Sequence, residues 1–257
     1  MKTTLVLVVT MLVGFCEVRS CVAASEKSDN NDNVIVDRDF KIIGPDGERE
    51  LGRYGIRAEI DDAGESIKIV ETSSINYRGK PASAKSTVTY RIDSELTPTS
   101  GVVETTVDGK TCMTGSLAIE GREVTGKCTG HTNKRTGEAI DPPKEMEKTF
   151  SLPAEGFILF QSSVMSIGPR ILPEEGELTD VIFVEFPDDL GAPELVNFKK
   201  GYRLVREAAD ERGVYKITVF SPRKDPIMSA RFDANDQLMA NQRRGRVSMV
   251  AVEEELP

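Results

Sequence analysis

The chain has 257 residues, a formal net charge of −9, a single histidine and no tryptophan. The acidic balance argues against nucleic acid as a partner and against general adhesion to anionic membranes. A Ser/His/Asp or Cys/His apparatus would have to rest on His131 alone, so the sequence reads as that of a non-enzymatic protein, and nothing in it calls for a cofactor or a bound metal.

The first element is a leader. The opening "MKTTLVLVVTMLVGFCEVRSCVAAS" has Lys2 as a basic start, an apolar run from Leu5 to Phe15, and Val22-Ala23-Ala24 as a small-residue site before Ser25. That is the pattern of a secretory signal peptide, and the run is shorter than the roughly 20 residues of a membrane span. Residues 1–24 are therefore expected to be removed on export, leaving 25–33 as a polar linker and a chain one charge more acidic. The expected location is periplasmic or extracellular. A membrane tether would need acylation of Cys16 or Cys21, and Phe15 before the first and Arg19 near the second fit that processing poorly.

Residues 34–253 read as one antiparallel β domain, with residues 254–257 a tail and Glu95–Gly101 the place where a seam would fall. Turn signals recur at short spacing: Gly44-Pro45-Asp46-Gly47, Asp61 to Gly64, Asp108-Gly109, Glu120-Gly121, Asp210 to Gly213 and Asp233 to Asp236. Apolar and polar residues alternate between them, which is hairpin patterning. Strands are expected at 34–43, 50–60, 66–73, 86–94, 101–107, 111–119 and 122–129. After a polar loop holding His131, they resume at 147–152, 178–185, 196–206, 214–221, 227–232, 237–243 and 246–253. The fold class is all-β, a meander forming a curved sheet or half-barrel, with a β-sandwich as the alternative.

One segment departs from this. In "EGFILFQSSVMSIGPRIL" Phe157, Phe160, Val164 and Ile167 fall at helical spacing and Gly168-Pro169 supplies a stop, predicting a short helix near 157–167. The alternative is a buried strand followed by a loop. A lone apolar helix must cover the concave side of the sheet, and Phe157, Phe160, Val164 and Met165 would then line a ligand pocket.

Cys112 and Cys128 are the cysteines beyond the leader. A three-residue loop with left-handed Gly121 would put them directly opposite each other, whereas a two-residue Glu120-Gly121 loop would set Cys112 against Thr129 with the thiols on opposite faces. Exported proteins usually pair such cysteines, so a Cys112–Cys128 disulfide is expected, worth roughly 3 kcal/mol for a loop of about 16 residues. Two basic islands stand out, Arg243, Arg244 and Arg246 in "NQRRGR" and Lys199, Lys200, Arg203 and Arg206 in "FKKGYRLVRE". They read as cations protecting sheet edges, with an anionic partner as the other reading.

The leader, the tether, the long run of strands with Asp/Gly turns and the apolar helix together resemble the periplasmic lipoprotein-carrier-like β half-barrels. "DPIMSARFDANDQLMANQRR", Asp225 to Arg244, is similar to the two-strand unit such proteins often carry. The resemblance rests on architecture over about Ser86 to Glu253. It implies a cupped sheet that holds acyl chains, or a related sheet used only as an adaptor. Two functions follow: an exported carrier for an apolar or lipidic ligand, or a structural or interaction protein of the cell envelope. A helix clamped down without a void favours the second, and a mobile helix over an apolar cavity the first.

Overall fold

The computed structural model describes residues 33–44, 49–77, 79–132, 138–186, 197–243 and 248–251. The leader, Cys16, Cys21, nearly all of the linker, the end of the His131 loop, Arg244, Arg246 and the acidic tail lie outside the described residues. Among the described residues fifteen strands form one sheet: β1 Val34–Ile43, β2 Glu50–Ile60, β3 Ser66–Tyr77, β4 Lys80–Arg91, β5 Thr97–Val107, β6 Lys110–Glu120, β7 Glu123–Thr132, β8 Ala139–Ser151, β9 Phe157–Phe160, β10 Gly176–Glu185, β11 Asn197–Arg206, β12 Tyr215–Phe220, β13 Pro226–Phe232, β14 Leu238–Arg243 and β15 Ser248–Ala251. The helix among them, α1, spans Val164–Ile171.

The expected meander is there, without a sandwich and without a break at Glu95–Gly101, where β5 enters register with β4. The chain starts at the centre of the sheet with β1 and steps outward strand by strand to β8. It then passes to the opposite edge at β9 and returns, so that β15 pairs with β1. Pairing is antiparallel except for β9 and β10, which run parallel.

This order forces the sheet to roll. Fifteen strands laid flat would be about 70 Å wide, yet the link between the two edge strands covers only residues 152–156 and can reach about 20 Å. The edges do meet, but they overlap instead of joining in a ladder. Phe150 of β8 stacks on Phe198 of β11 with centroids 5.7 Å apart, and β9 lies against β5. The result is an open, barrel-like spiral.

Overlap explains the buried runs. Most strands alternate buried with exposed residues, as Ala82, Ala84, Ser86, Val88 and Tyr90 do along β4, because one face meets the core and the other meets water. Residues 158–160 of β9 and 181–184 of β10 are buried without alternation, because the overlap that lays β9 against β5 covers this pair on the face away from the main core. Among the described residues the exposed large apolar side chains are Val102 and Val250. No described helix is long and apolar enough to cross a membrane.

The hairpin turns follow a common rule. Asp61, Asp93, Asp210 and Asp233 each accept backbone N–H bonds two to five residues ahead on one carboxylate oxygen. Ser221 does the same through its hydroxyl, accepting from Asp225. Three residues after each anchor, Gly64, Leu96, Gly213, Lys224 and Asp236 have φ of 71°, 50°, 76°, 65° and 61°. The side chain closes the turn and the left-handed residue redirects the strand.

Two expectations change. The segment expected as a helix from residue 157 begins as strand β9, and the helix starts only at Val164. Gly168-Pro169 does not stop it, since Pro169 lies inside α1 and the Leu172 N–H bonds the Gly168 carbonyl beyond it. His131, expected in a loop, lies on β7, half-buried, with Nε2 3.4 Å from Thr114 Oγ1.

Candidate functional site

The residues expected to line a pocket are brought together by β9 and α1, but as core. Phe160 is 2% exposed, Val164 0% and Met165 2%, while Phe157 is half-buried and packs against the same cluster. The Phe160 N–H donates to the buried Tyr90 hydroxyl over 2.9 Å, and the two rings meet edge-on at 6.1 Å. Burial pushes the Tyr90 phenol above its ordinary pKa. Phe160 also stacks on Phe186 at 5.4 Å, and Phe186 rests on Gly101, where any Cβ would collide with the ring. The space that glycine leaves is filled by the protein's own aromatic side chains.

The helix sits tightly on this core. Residues 164–169 are all buried, and at Gly168 a Cβ would come within 3.1 Å of Ile217 Cδ1 and 3.6 Å of Phe232 Cζ. Glycine therefore lets α1 approach β12 and β13. Its C-terminal end is held by Arg206, whose Nη1 donates to the Leu172 carbonyl over 2.8 Å. The Arg206 guanidinium also lies 3.6 Å from the Tyr215 ring centroid, and the Tyr215 hydroxyl donates a short bond to Asp236. Burial, that bond and the Asp236 charge all raise the Tyr215 pKa. A cation at a helix C-terminus is favourable in itself, and here it is fixed from both sides.

The basic island on β11 is thus largely engaged. Lys199 pairs with Glu185 at 2.8 Å and Arg203 with Glu177 at 3.2 Å, and Arg203 also lies 4.5 Å from the centroid of the Phe220 ring. Arg243 ends β14, while Arg244 and Arg246 lie outside the described residues. Among the described residues no group of three or more His, Cys, Asp or Glu side chains converges as a metal site would.

The cysteines correct the hairpin argument. The loop between β6 and β7 is Gly121-Arg122, flanked by the Glu120–Glu123 pair. Gly121 has φ 61° and Arg122 no positive φ, the pattern of a type II′ turn, whose twist matches that of the strands. This register sets Cys128 opposite Gly115, three residues along from Cys112, so the expected facing pair does not form. Cys112 sits at a bulge, because Thr106 pairs with Thr111 and Thr105 with Met113. Both cysteines are buried free thiols, in a small cluster with Val103 and Met113, and burial raises the pKa of Cys128.

A solvent-open depression of about 580 Å³ lies elsewhere, at the end of the barrel that carries the β3–β4 and β5–β6 turns. Gly52, Ser74, Ile75, Asn76, Pro81, Ala82, Ser83, Thr106 and Gly109 form its wall. No expected site residue is among them. The signal that could have pointed to it is the density of Ser, Thr, Asn and Gly near those two turns.

No family model matches the chain, and no curated protein matches it. Among solved structures the chain is similar to a β-barrel-like protein of a domain of unknown function, DUF1849, from Brucella abortus. That similarity has 13% identity and a TM-score of 0.45, and covers 85% of this chain and 97% of the other.

Proposed function

We propose that this chain is an exported, non-enzymatic protein of the cell envelope acting in a structural or interaction role, an adaptor built on a self-filled barrel-like sheet. The observation that carries this reading is the seat of α1. Six consecutive buried residues, the close approach at Gly168 and the Arg206 bond to Leu172 fix the helix to the core. A carrier would need that lid to lift, and burial of Val164, Met165 and Ile167 resists lifting by about 1.5–3 kcal/mol each. In this reading the leader at 1–24 directs export. The protein is soluble in the periplasm or outside the cell, or tethered where Cys16 or Cys21 is acylated.

The reading as a carrier of an apolar or lipidic ligand is favoured by a different observation. The buried positions of β4–β7 are mostly small, among them Ala82, Ala84, Gly101, Gly115, Gly126 and Gly130, a smooth wall along which an acyl chain could lie. Intact mass spectrometry under native conditions, on protein recovered from its own envelope, separates the two. The adaptor reading expects a bare polypeptide, and hydrogen exchange in residues 163–172 as slow as in β1. An added mass that organic extraction removes, together with fast exchange in α1, would replace it with the carrier reading.

A further inference from the structure

The rolled sheet keeps one long free edge. β8 stands at the end of the strand order and, among the described residues, pairs only with β7. Residues 141–145 and 147–149 are all exposed, and Met146 between them is half-buried. Successive side chains point to opposite faces of a strand, so water reaches both faces of β8 over this stretch. The direction of its backbone groups follows from the ladder. The Leu152 N–H donates to the Arg122 carbonyl over 2.7 Å, and the register then runs unbroken from the Glu123–Ser151 pair to the Gly130–Lys144 pair. Antiparallel bonds recur at every second pair, so Lys144, Met146, Lys148 and Phe150 bond β7. The N–H and C=O groups of Glu145, Glu147 and Thr149 therefore point to the free edge, where a sheet can accept another strand.

The side chains on this edge decide which strand it accepts. Lys144, Glu145, Met146, Glu147 and Lys148 give a charge pattern that reads the same in both directions. A second copy would pair about a two-fold axis normal to the sheet, and facing residues must share a face, so each such register is centred on one residue lying against itself. Centred on Met146, it brings Lys144 against Lys148 and Glu145 against Glu147. Centred on any of the four charged residues, it brings that residue against its own copy. Like charges directly opposite destabilise a strand pair, so the edge is set against self-pairing. Glu147 pairs with Lys127 at 3.3 Å and the Lys148 ammonium lies 5.4 Å from the Phe150 ring centroid. Both are contacts of exposed groups, which are worth little and leave the charges open to a partner.

We propose that the free edge of β8 takes up an extended segment of a different protein. In that segment an apolar residue opposite Met146 is flanked by basic residues opposite Glu145 and Glu147, and these by acidic residues opposite Lys144 and Lys148. The proposal rests on the adaptor reading and gives it a docking surface. Because the charge pattern is symmetric, a parallel and an antiparallel strand match it equally. The mature chain is titrated at low salt with a labelled peptide, Thr-Glu-Lys-Val-Lys-Glu-Thr, by fluorescence anisotropy. Saturation at about 0.1–1 mM, weakened by added salt, is the expected result, with hydrogen exchange slowed at residues 145, 147 and 149. A peptide of the same composition with its charges interchanged, Thr-Lys-Glu-Val-Glu-Lys-Thr, should bind about tenfold more weakly. The variant Lys144→Glu/Glu145→Lys/Glu147→Lys/Lys148→Glu keeps the composition of the strand and should reverse that preference. Glu145→Pro removes an edge donor without touching a β7 bond, and should weaken binding more than Glu145→Gln does. Absence of binding to both peptides, equal affinity for the two, or a preference that the fourfold variant does not reverse overturns the proposal. So does a dimer of the parent chain with slowed exchange at those residues, which would make a second copy the occupant. A lipid recovered with the protein would tell against the adaptor reading without altering either titration, so the two failures are distinct.

Discussion

Lys224 occupies a left-handed turn position, φ 65°, that four equivalent turns give to Gly64, Gly213, Leu96 and Asp236. The conformation costs a residue with a Cβ about 1–2 kcal/mol, whereas glycine there costs about 0.5–1 kcal/mol in unfolded-state entropy. Lys224 is exposed, so Lys224→Gly should stabilise the fold by about 0.5–1 kcal/mol, or roughly 1–4 °C in Tm for a chain of this size. The reverse change at two other turns separates conformation from crowding. Nothing lies within 4 Å of a Cβ at Gly64, so Gly64→Ala should cost only the conformational amount. A Cβ at Gly213 would stand 2.7 Å from Ala234 Cβ, so Gly213→Ala should cost about 1–3 kcal/mol more. Urea denaturation of the three variants beside the parent gives the order directly. A neutral or destabilising Lys224→Gly, or Gly64→Ala equal to Gly213→Ala, would refute the turn argument.

The turn anchors also make the fold acid-sensitive. Burial raises the pKa of Asp93, but bonds from Thr97, Arg91 and Glu95 outweigh it and hold the carboxyl at about 2; the Ser66 hydroxyl and backbone N–H groups lower Asp61, and the Val214 and Arg212 N–H groups lower Asp210 despite some desolvation. Because these folded values lie below the unfolded one of about 3.9, their stabilisation is complete above about pH 4 and lost as pH falls toward 2. Urea midpoints should be level from pH 7 to 5 and drop below 4, less steeply in Asp93→Asn; a flat profile to pH 2.5 would contradict this. Intact mass without reductant should show both thiols retained and blocked from thiol reagents until unfolding, and a loss of two hydrogens would restore the register that faces Cys112 with Cys128. Asn241 is 1% exposed and among the described residues neither of its amide atoms has a partner, so Asn241→Leu should stabilise by about 1–2 kcal/mol, and a thermal melt showing destabilisation would mean that the amide is engaged.

The meander was legible because its signals are local. An Asp-Gly step such as Asp108-Gly109, where both residues have positive φ, declares a tight hairpin on its own, and strict alternation along β4 declares a strand with one wet face. β1 and β2 begin and end where turn chemistry places them. β9 carries no such sign. "FILF" is apolar throughout because the rolled sheet covers it on both sides, and a short run buried on both faces looks the same whether helical or extended. Only the overlap of distant edges resolves it, and that overlap follows from strand order, not from any window of sequence.

The same distinction governs the site. Phe160, Val164 and Met165 were recognisable as residues that must be buried, but whether they line a void or fill one depends on what reaches them from elsewhere: Tyr90 from β4, Phe186 after β10, and the absence of a side chain at Gly101 and Gly168. The hairpin of Cys112 and Cys128 shows how small the deciding quantity can be. Moving the loop from the residues around Glu120-Gly121 to Gly121-Arg122 changes which residues face each other, and with them a disulfide becomes two thiols. The wall of the depression is spread over four strands and the β5–β6 turn, and mixes small and hydroxyl-bearing residues with Ile75, Asn76 and Pro81. Such residues are ordinary in turns, so no single window of sequence marks the place where they come together. Local chemistry thus fixes which segments become strands in this chain, while the closure of the sheet decides what its interior and its open end can hold.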